Sequence, residues 1–129
     1  MQNKYKDFIL NLRWSPIVLN SPDRKSIKVN EGRLVFFANE QETIKEDDLL
    51  LEKVQTIILN SINDLSLIAS EQTEDYLMTN GLDGGAPYLL ELVIGGLSLK
   101  ITSQVSDSKA HTVLQSLYES IEREILNYE

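Results

Sequence analysis

Apolar and polar residues alternate most regularly between positions 88 and 105. Tyr88, Leu90, Leu92 and Ile94 are interleaved with Leu89, Glu91 and Val93; beyond Gly95-Gly96, Leu97, Leu99, Ile101 and Val105 are interleaved with Ser98, Lys100, Thr102 and Gln104. A period of two marks strands with one buried face. The Gly-Gly pair supplies the positive φ angles of a tight two-residue loop, so the spacing predicts a hairpin with Ile94 opposite Leu97, Leu92 opposite Leu99 and Leu90 opposite Ile101. The apolar faces of both strands then coincide, and Glu91 falls opposite Lys100 as a cross-strand pair of opposite sign.

Elsewhere the period changes. Ala110, Val113, Leu114, Leu117, Ile121, Ile125 and Tyr128 recur at helical spacing behind Ser106, Asp107 and Ser108, any of which could cap a helix N-terminus. This predicts an amphipathic C-terminal helix whose polar face carries His111, Gln115, Glu119 and Glu122. Leu50, Leu51, Val54, Ile57, Ile58, Ile62 and Leu65 also follow helical periodicity, after three acids suited to a positive helix end, which predicts a helix over about 46–62. The β-branched residues in that stretch keep a competing reading open, in which 54–62 and 65–70 form a hairpin around Asn63-Asp64.

Leu34-Val35-Phe36-Phe37-Ala38 reads as a strand apolar on both faces, preceded by a short partner at 27–29 with Asn30-Glu31-Gly32 as the turn. The N-terminal segment is undecided. Tyr5, Phe8, Ile9 and Leu12 fit a helix over residues 5–12, whereas Phe8, Leu10, Leu12 and Trp14 fit a strand, and Ser15-Pro16 closes either. Residues 71–87, acidic and then rich in Asn, Asp and Gly, read as a connection. Together these elements predict one α+β domain over residues 1–129: an antiparallel sheet with helices packed on one face, including the long C-terminal amphipathic helix.

Composition narrows the function classes. Cysteine is absent, which excludes disulfides, thiolate metal sites and a cysteine nucleophile. No stretch approaches the roughly 20 apolar residues that span a bilayer, and the N-terminus lacks the apolar run of a signal peptide, so a cytoplasmic location is expected. The net charge is −8, unevenly spread: residues 1–38 hold seven bases against three acids, and the rest of the chain five against seventeen. Nucleic acid and anionic membrane need clustered positive charge and are poor candidates; a basic protein is a better partner.

Candidate chemistry is sparse. His111 is the only histidine and lies on the predicted polar face, where a solvent-facing role is simpler than catalysis. No phosphate-binding loop, nucleophile elbow or histidine-containing metal motif is present. The pairs Asp47/Asp48, Glu74/Asp75 and Glu122/Glu124 sit among other charges and read as hydrated surface rather than as an acid–base dyad. Asn80 to Gly85 lacks the spaced acids of a calcium loop and reads as a turn. No catalytic residue, metal site or cofactor is expected.

A surface argument remains. Glu46, Asp47, Asp48 and Glu52, with Glu74, Asp75 and Asp83 further on, either keep the chain soluble or form a docking face, with Tyr76, Tyr88 or Trp14 as aromatic anchors.

The run Gly81-Leu82-Asp83-Gly84-Gly85, the strand from Tyr88, the Gly-Gly turn, a second strand and a terminal helix resemble the ending of small acidic bacterial immunity-type proteins. Some of these neutralise toxins used between competing bacteria. The resemblance implies a non-catalytic role in binding and inhibiting another protein, and it transfers no site residue. A second resemblance, to class I chaperones of type III secretion, implies a dimer and requires helix at 5–12 and strand at 54–62. A small-molecule-binding or enzymatic domain without a familiar motif is the third reading.

Overall fold

The computed structural model describes residues 7–14, 24–72, 88–103 and 108–127. Six strands form one antiparallel sheet: β1 (Ile9–Trp14), β2 (Lys25–Asn30), β3 (Arg33–Ala38), β4 (Gln41–Lys45), β5 (Tyr88–Ile94) and β6 (Leu97–Thr102). Their order across the sheet is β4-β3-β2-β1-β5-β6. Between β4 and β5 lie α1 (Asp48–Asn60) and α2 (Ile62–Glu71), and after β6 comes α3 (Lys109–Asn127). This is the α+β architecture that the hydrophobic pattern implies.

Three hairpins share one device. Their two-residue loops, Glu31-Gly32, Asn39-Glu40 and Gly95-Gly96, have positive φ at both positions. Such loops match the right-handed twist of the strands they join. The Gly95-Gly96 hairpin has the expected register, with Ile94 opposite Leu97, Leu92 opposite Leu99, Leu90 opposite Ile101 and Glu91 opposite Lys100. The turn before β3 is tighter than Asn30-Glu31-Gly32, since Asn30 already pairs with Arg33.

Alternation sorts each strand into two faces. Leu10 and Leu12 of β1, Ile27 and Val29 of β2, Leu34 and Phe36 of β3, Leu90 and Leu92 of β5 and Ile101 of β6 are buried in one cluster. Register places them in continuous rows across the sheet. On this face sit Leu50, Leu51, Val54 and Ile58 of α1, Leu65 and Ile68 of α2, and Ala110, Leu114, Leu117, Tyr118, Ile121 and Ile125 of α3. The helices thus cover one face of the sheet, with α1 packed on α3, α2 on β6 and α3 on β5.

Several expectations need correction. Residues 9–14 are strand, so the helical reading of the N-terminal segment fails; β1 is paired on both sides, and the period-two set Leu10, Leu12 and Trp14 wins. The helix expected over about 46–62 is α1, and a second helix, α2, which was not expected, follows it directly. The break is at Ser61, whose N–H bonds the Ile58 carbonyl at 3.0 Å while its own carbonyl accepts from Leu65 N–H. Ile62, Leu65 and Ile68 keep helical spacing past the break and seat α2 on the same core. The rival hairpin over 54–70 is absent, and with strand at 9–14 and helix at 54–60 the element order required by the secretion-chaperone resemblance is not met. Strand β4 was not expected, because four of its five residues are exposed and only Ile44 is apolar.

Polar groups close the sheet where α2 and α3 meet it. The Gln72 side chain donates to the Thr102 carbonyl at 2.6 Å and accepts from its N–H at 3.0 Å, pairing with the edge of β6 as a neighbouring strand would. Ser103, wholly buried, extends the ladder: its N–H donates to Tyr88 carbonyl, and its Oγ accepts from Tyr88 N–H at 2.9 Å. Ser108 Oγ donates to the Ser103 carbonyl at 2.6 Å and accepts from His111 N–H at 3.0 Å, so Ser108 caps α3; the other two candidates, Ser106 and Asp107, lie outside the described residues.

Candidate functional site

Four of the eight predicted docking residues come together at the start of α1. Asp47 is the N-cap: its carboxylate accepts from Leu49 N–H at 2.9 Å and from Leu50 N–H at 3.2 Å. Part of its charge therefore serves the helix end. Glu46 lies 3.8 Å from Arg33 at the tip of the β2–β3 hairpin, both side chains exposed. Asp48 and Glu52 are one helical turn apart on the exposed flank of α1. Leu49, beside Asp48 and one turn before Glu52 and Lys53, has 54% of its surface exposed. Periodicity marks Leu50 and Leu51 as core and leaves Leu49 over, which is the one signal that could have singled it out. Glu74, Asp75, Tyr76 and Asp83 lie outside the described residues.

The acidity extends along the helix layer. Besides Asp47, Asp48 and Glu52, the helices carry Asp64, Glu71, Glu119, Glu122 and Glu124, against the bases Lys53, Lys109 and Arg123. Leu59, Leu67 and Leu126 are also more than half exposed.

The opposite face of the sheet has the opposite character. Alternation puts Ile9, Asn11 and Arg13 of β1, Ser26 and Lys28 of β2, Arg33, Val35 and Phe37 of β3, and Leu89, Glu91 and Val93 of β5 away from the helices. None of the described helices covers them. Asn11 Nδ2 donates to Glu91 Oε1 at 2.9 Å in the middle of this face.

A third cluster joins α3 to the sheet, where two aromatic anchors were expected. Tyr88 is buried, not a surface anchor, and Trp14 is half-buried with Lys25 Nζ 5.8 Å from its ring centre. His111 departs from its expected solvent position: its ring meets Tyr88 edge to face at 5.1 Å between centroids, and Nδ1 is buried without a hydrogen-bond partner. Helical geometry brings this about, since Ala110 and Leu114 on either side of it seat α3 on β5. Tyr118, 6.1 Å from Tyr88 between ring centres, is also buried, and its hydroxyl closes no hydrogen bond among the described residues. Lys25 Nζ lies 4.0 Å from Glu122.

Burial, reinforced by Glu119 and Glu122, pushes the Tyr88 phenol up to about 12. Tyr118 is raised further by burial and by Glu122 one turn on, which opposes ionisation electrostatically without closing a hydrogen bond of normal geometry. Both phenols bind their protons more tightly folded than unfolded, where tyrosine titrates near pH ~10. Their contribution to stability is complete below that pH and is lost as pH rises from about 10 toward 12. The Tyr88→Phe variant should therefore lose stability less steeply above pH ~10 than the parent chain, by denaturant unfolding at stepped pH. Identical alkaline slopes would show that Tyr88 ionises freely in the fold.

Among the described residues no group of three or more His, Asp or Glu side chains is placed to hold a metal ion, and no helix is long and apolar enough to cross a membrane. Comparison with known proteins finds no matching family, no matching curated protein and no matching solved structure.

Proposed function

We propose that this chain is a non-catalytic protein-binding protein of the immunity or inhibitor type, which engages a basic toxin or effector through the acidic start of α1. The observation that carries this reading is the exposed Leu49 one turn before Glu52 and next to Asp48, with Glu46 and Asp47 adjoining. Acids of this kind act over distance to accelerate encounter with a positive surface, and a bare leucine among them gives an apolar anchor once contact is made. The acids elsewhere on the helices reinforce the same field.

The test is an association rate measured with a basic partner purified by pull-down from the protein's own cell extract. Glu46→Gln, Asp47→Asn, Asp48→Asn and Glu52→Gln together remove four charges, and asparagine caps a helix about as well as aspartate, so α1 keeps its start. Association is expected to slow by about tenfold at low ionic strength and to lose most of its salt dependence, while dissociation changes much less. Leu49→Ala should do the reverse, raising the dissociation rate and leaving association nearly unchanged. An unchanged association rate in the four-site variant at both low and moderate salt would assign these charges to solubility alone.

A further inference from the structure

The open face of the sheet combines half-buried apolar side chains with cations. Val35, Phe37, Leu89 and Val93 are half-buried there, and Ile9 and Ile44 are 41% and 50% exposed. Around them stand Arg13, Lys28, Arg33 and Lys100, with Arg24 just before β2. Against these five bases the strands of this face hold two acids, Glu42 and Glu91. Arg33 is engaged by Glu46, and Lys100 lies across from Glu91. Among the described residues no carboxylate pairs with Arg13, Arg24 or Lys28. At the end of this face Arg13, Arg24, Lys25 and Ser26 surround a hollow of about 180 Å³, with Trp14 and Phe37 in its wall.

We infer that this face is a second docking surface, and that its occupant is an acidic protein segment carrying apolar side chains. A protein of net charge −8 that gathers half of its described bases on one sheet face has a field there opposite to that of its helix layer. Apolar residues left half-covered beside cations that no described carboxylate pairs match a partner whose leucines or aromatics cover the former and whose carboxylates neutralise the latter. Arginine favours a carboxylate in particular, because its guanidinium can bind both oxygens at once. A second copy fits poorly, since a two-fold pairing of this face would set Arg13, Arg24 and Lys28 against their own equivalents. Nucleic acid also fits poorly. Only Phe37 among the six apolar residues could stack on a base, and Glu42 and Glu91 would lie under a phosphate backbone. The inference is independent of the proposal for α1, which involves the helix layer and a partner of the opposite charge; the two surfaces adjoin where Glu46 pairs with Arg33.

Fluorescence anisotropy of the full chain tests it, with three labelled probes: a short synthetic peptide of Glu, Asp and Leu, one of the same length of Lys, Arg and Leu, and an oligothymidylate. The acidic peptide is expected to bind, more tightly at low salt, and Arg13→Glu with Lys28→Glu is expected to weaken it at least tenfold (about 1.4 kcal/mol or more). Arg123→Glu, a base on α3, should leave it within a factor of two. Amide shifts in NMR spectra should concentrate on β1, β2, β3 and β5. If thermal unfolding shows that the charge-reversed chain is not folded, Arg13→Gln with Lys28→Gln replaces it, with a loss of threefold or more expected. No binding of the acidic peptide, binding indifferent to Arg13 and Lys28, or tighter binding of the oligothymidylate would overturn the inference. So would a dimer, by light scattering, that the same two substitutions dissociate. Binding of the basic peptide to the helix layer bears only on the α1 proposal.

Discussion

Leu12→Ala is expected to destabilise the fold by about 2–5 kcal/mol, a large share of the 5–15 kcal/mol that holds a domain of this size together. Leu12 is wholly buried in the middle strand, opposite Ile27 on one side and Leu90 on the other. Its truncation opens a cavity where the sheet is least able to collapse, because both neighbouring strands are themselves held in register. Denaturant unfolding measures the loss as a lower midpoint at unchanged slope. Ile9→Ala, on the same strand but on the open face, should cost under about 1 kcal/mol. Equal losses at the two positions would contradict the assignment of one covered and one open face.

Ser103→Ala should cost about 1–3 kcal/mol although it removes a single oxygen atom. The hydroxyl receives the Tyr88 N–H at a position with no exposed surface, where water cannot take its place. An unsatisfied buried N–H costs more than the net value of an average hydrogen bond. Ser103→Thr keeps the hydroxyl and should recover part of the loss if the extra methyl fits. A loss under half a kcal/mol for the alanine variant would mean that the strand end relaxes enough to find another acceptor.

The parts of the fold that the sequence states openly are those in which pattern and turn chemistry agree. In β5 and β6 the alternation, the Gly-Gly loop and the Glu91/Lys100 pair all specify one register, and that register is found. In α3 seven apolar positions on one stripe leave little freedom, and six of them lie in the described helix. Strand β4 carries no such mark: it is an exposed edge, and its loop places Glu40 at φ 61, where glycine or asparagine would have signalled a turn. Strand β1 was ambiguous because six residues hold too few periods to separate 2 from 3.6.

The site was legible to a smaller degree. Acidity near residues 46–52 can be counted in the sequence, but Asp47 as cap and Glu46 as partner of Arg33 cannot. The basic face escaped notice because its members are scattered over β1, β2, β3 and β6 and converge only through strand order. His111 was misplaced for a related reason: a helix has one polar stripe on paper, but its border residues are claimed by whichever neighbour is nearest, here Tyr88.

The first described strand in chain order is the one that ends in the middle of the sheet. One neighbour of β1, β2, follows it by one connection, from Trp14 to Lys25, but the other, β5, starts more than seventy residues later, with Ile9 pairing Val93 and Trp14 pairing Tyr88. At roughly 5–20 residues per second a ribosome takes on the order of ten seconds to deliver that partner. For this interval the nascent chain presents a strand edge with unmatched N–H and C=O groups and with Leu10 and Leu12 uncovered. Any sheet that β1 to β4 form before then keeps this edge open, and the pairing of β1 with β5 is the step that closes it.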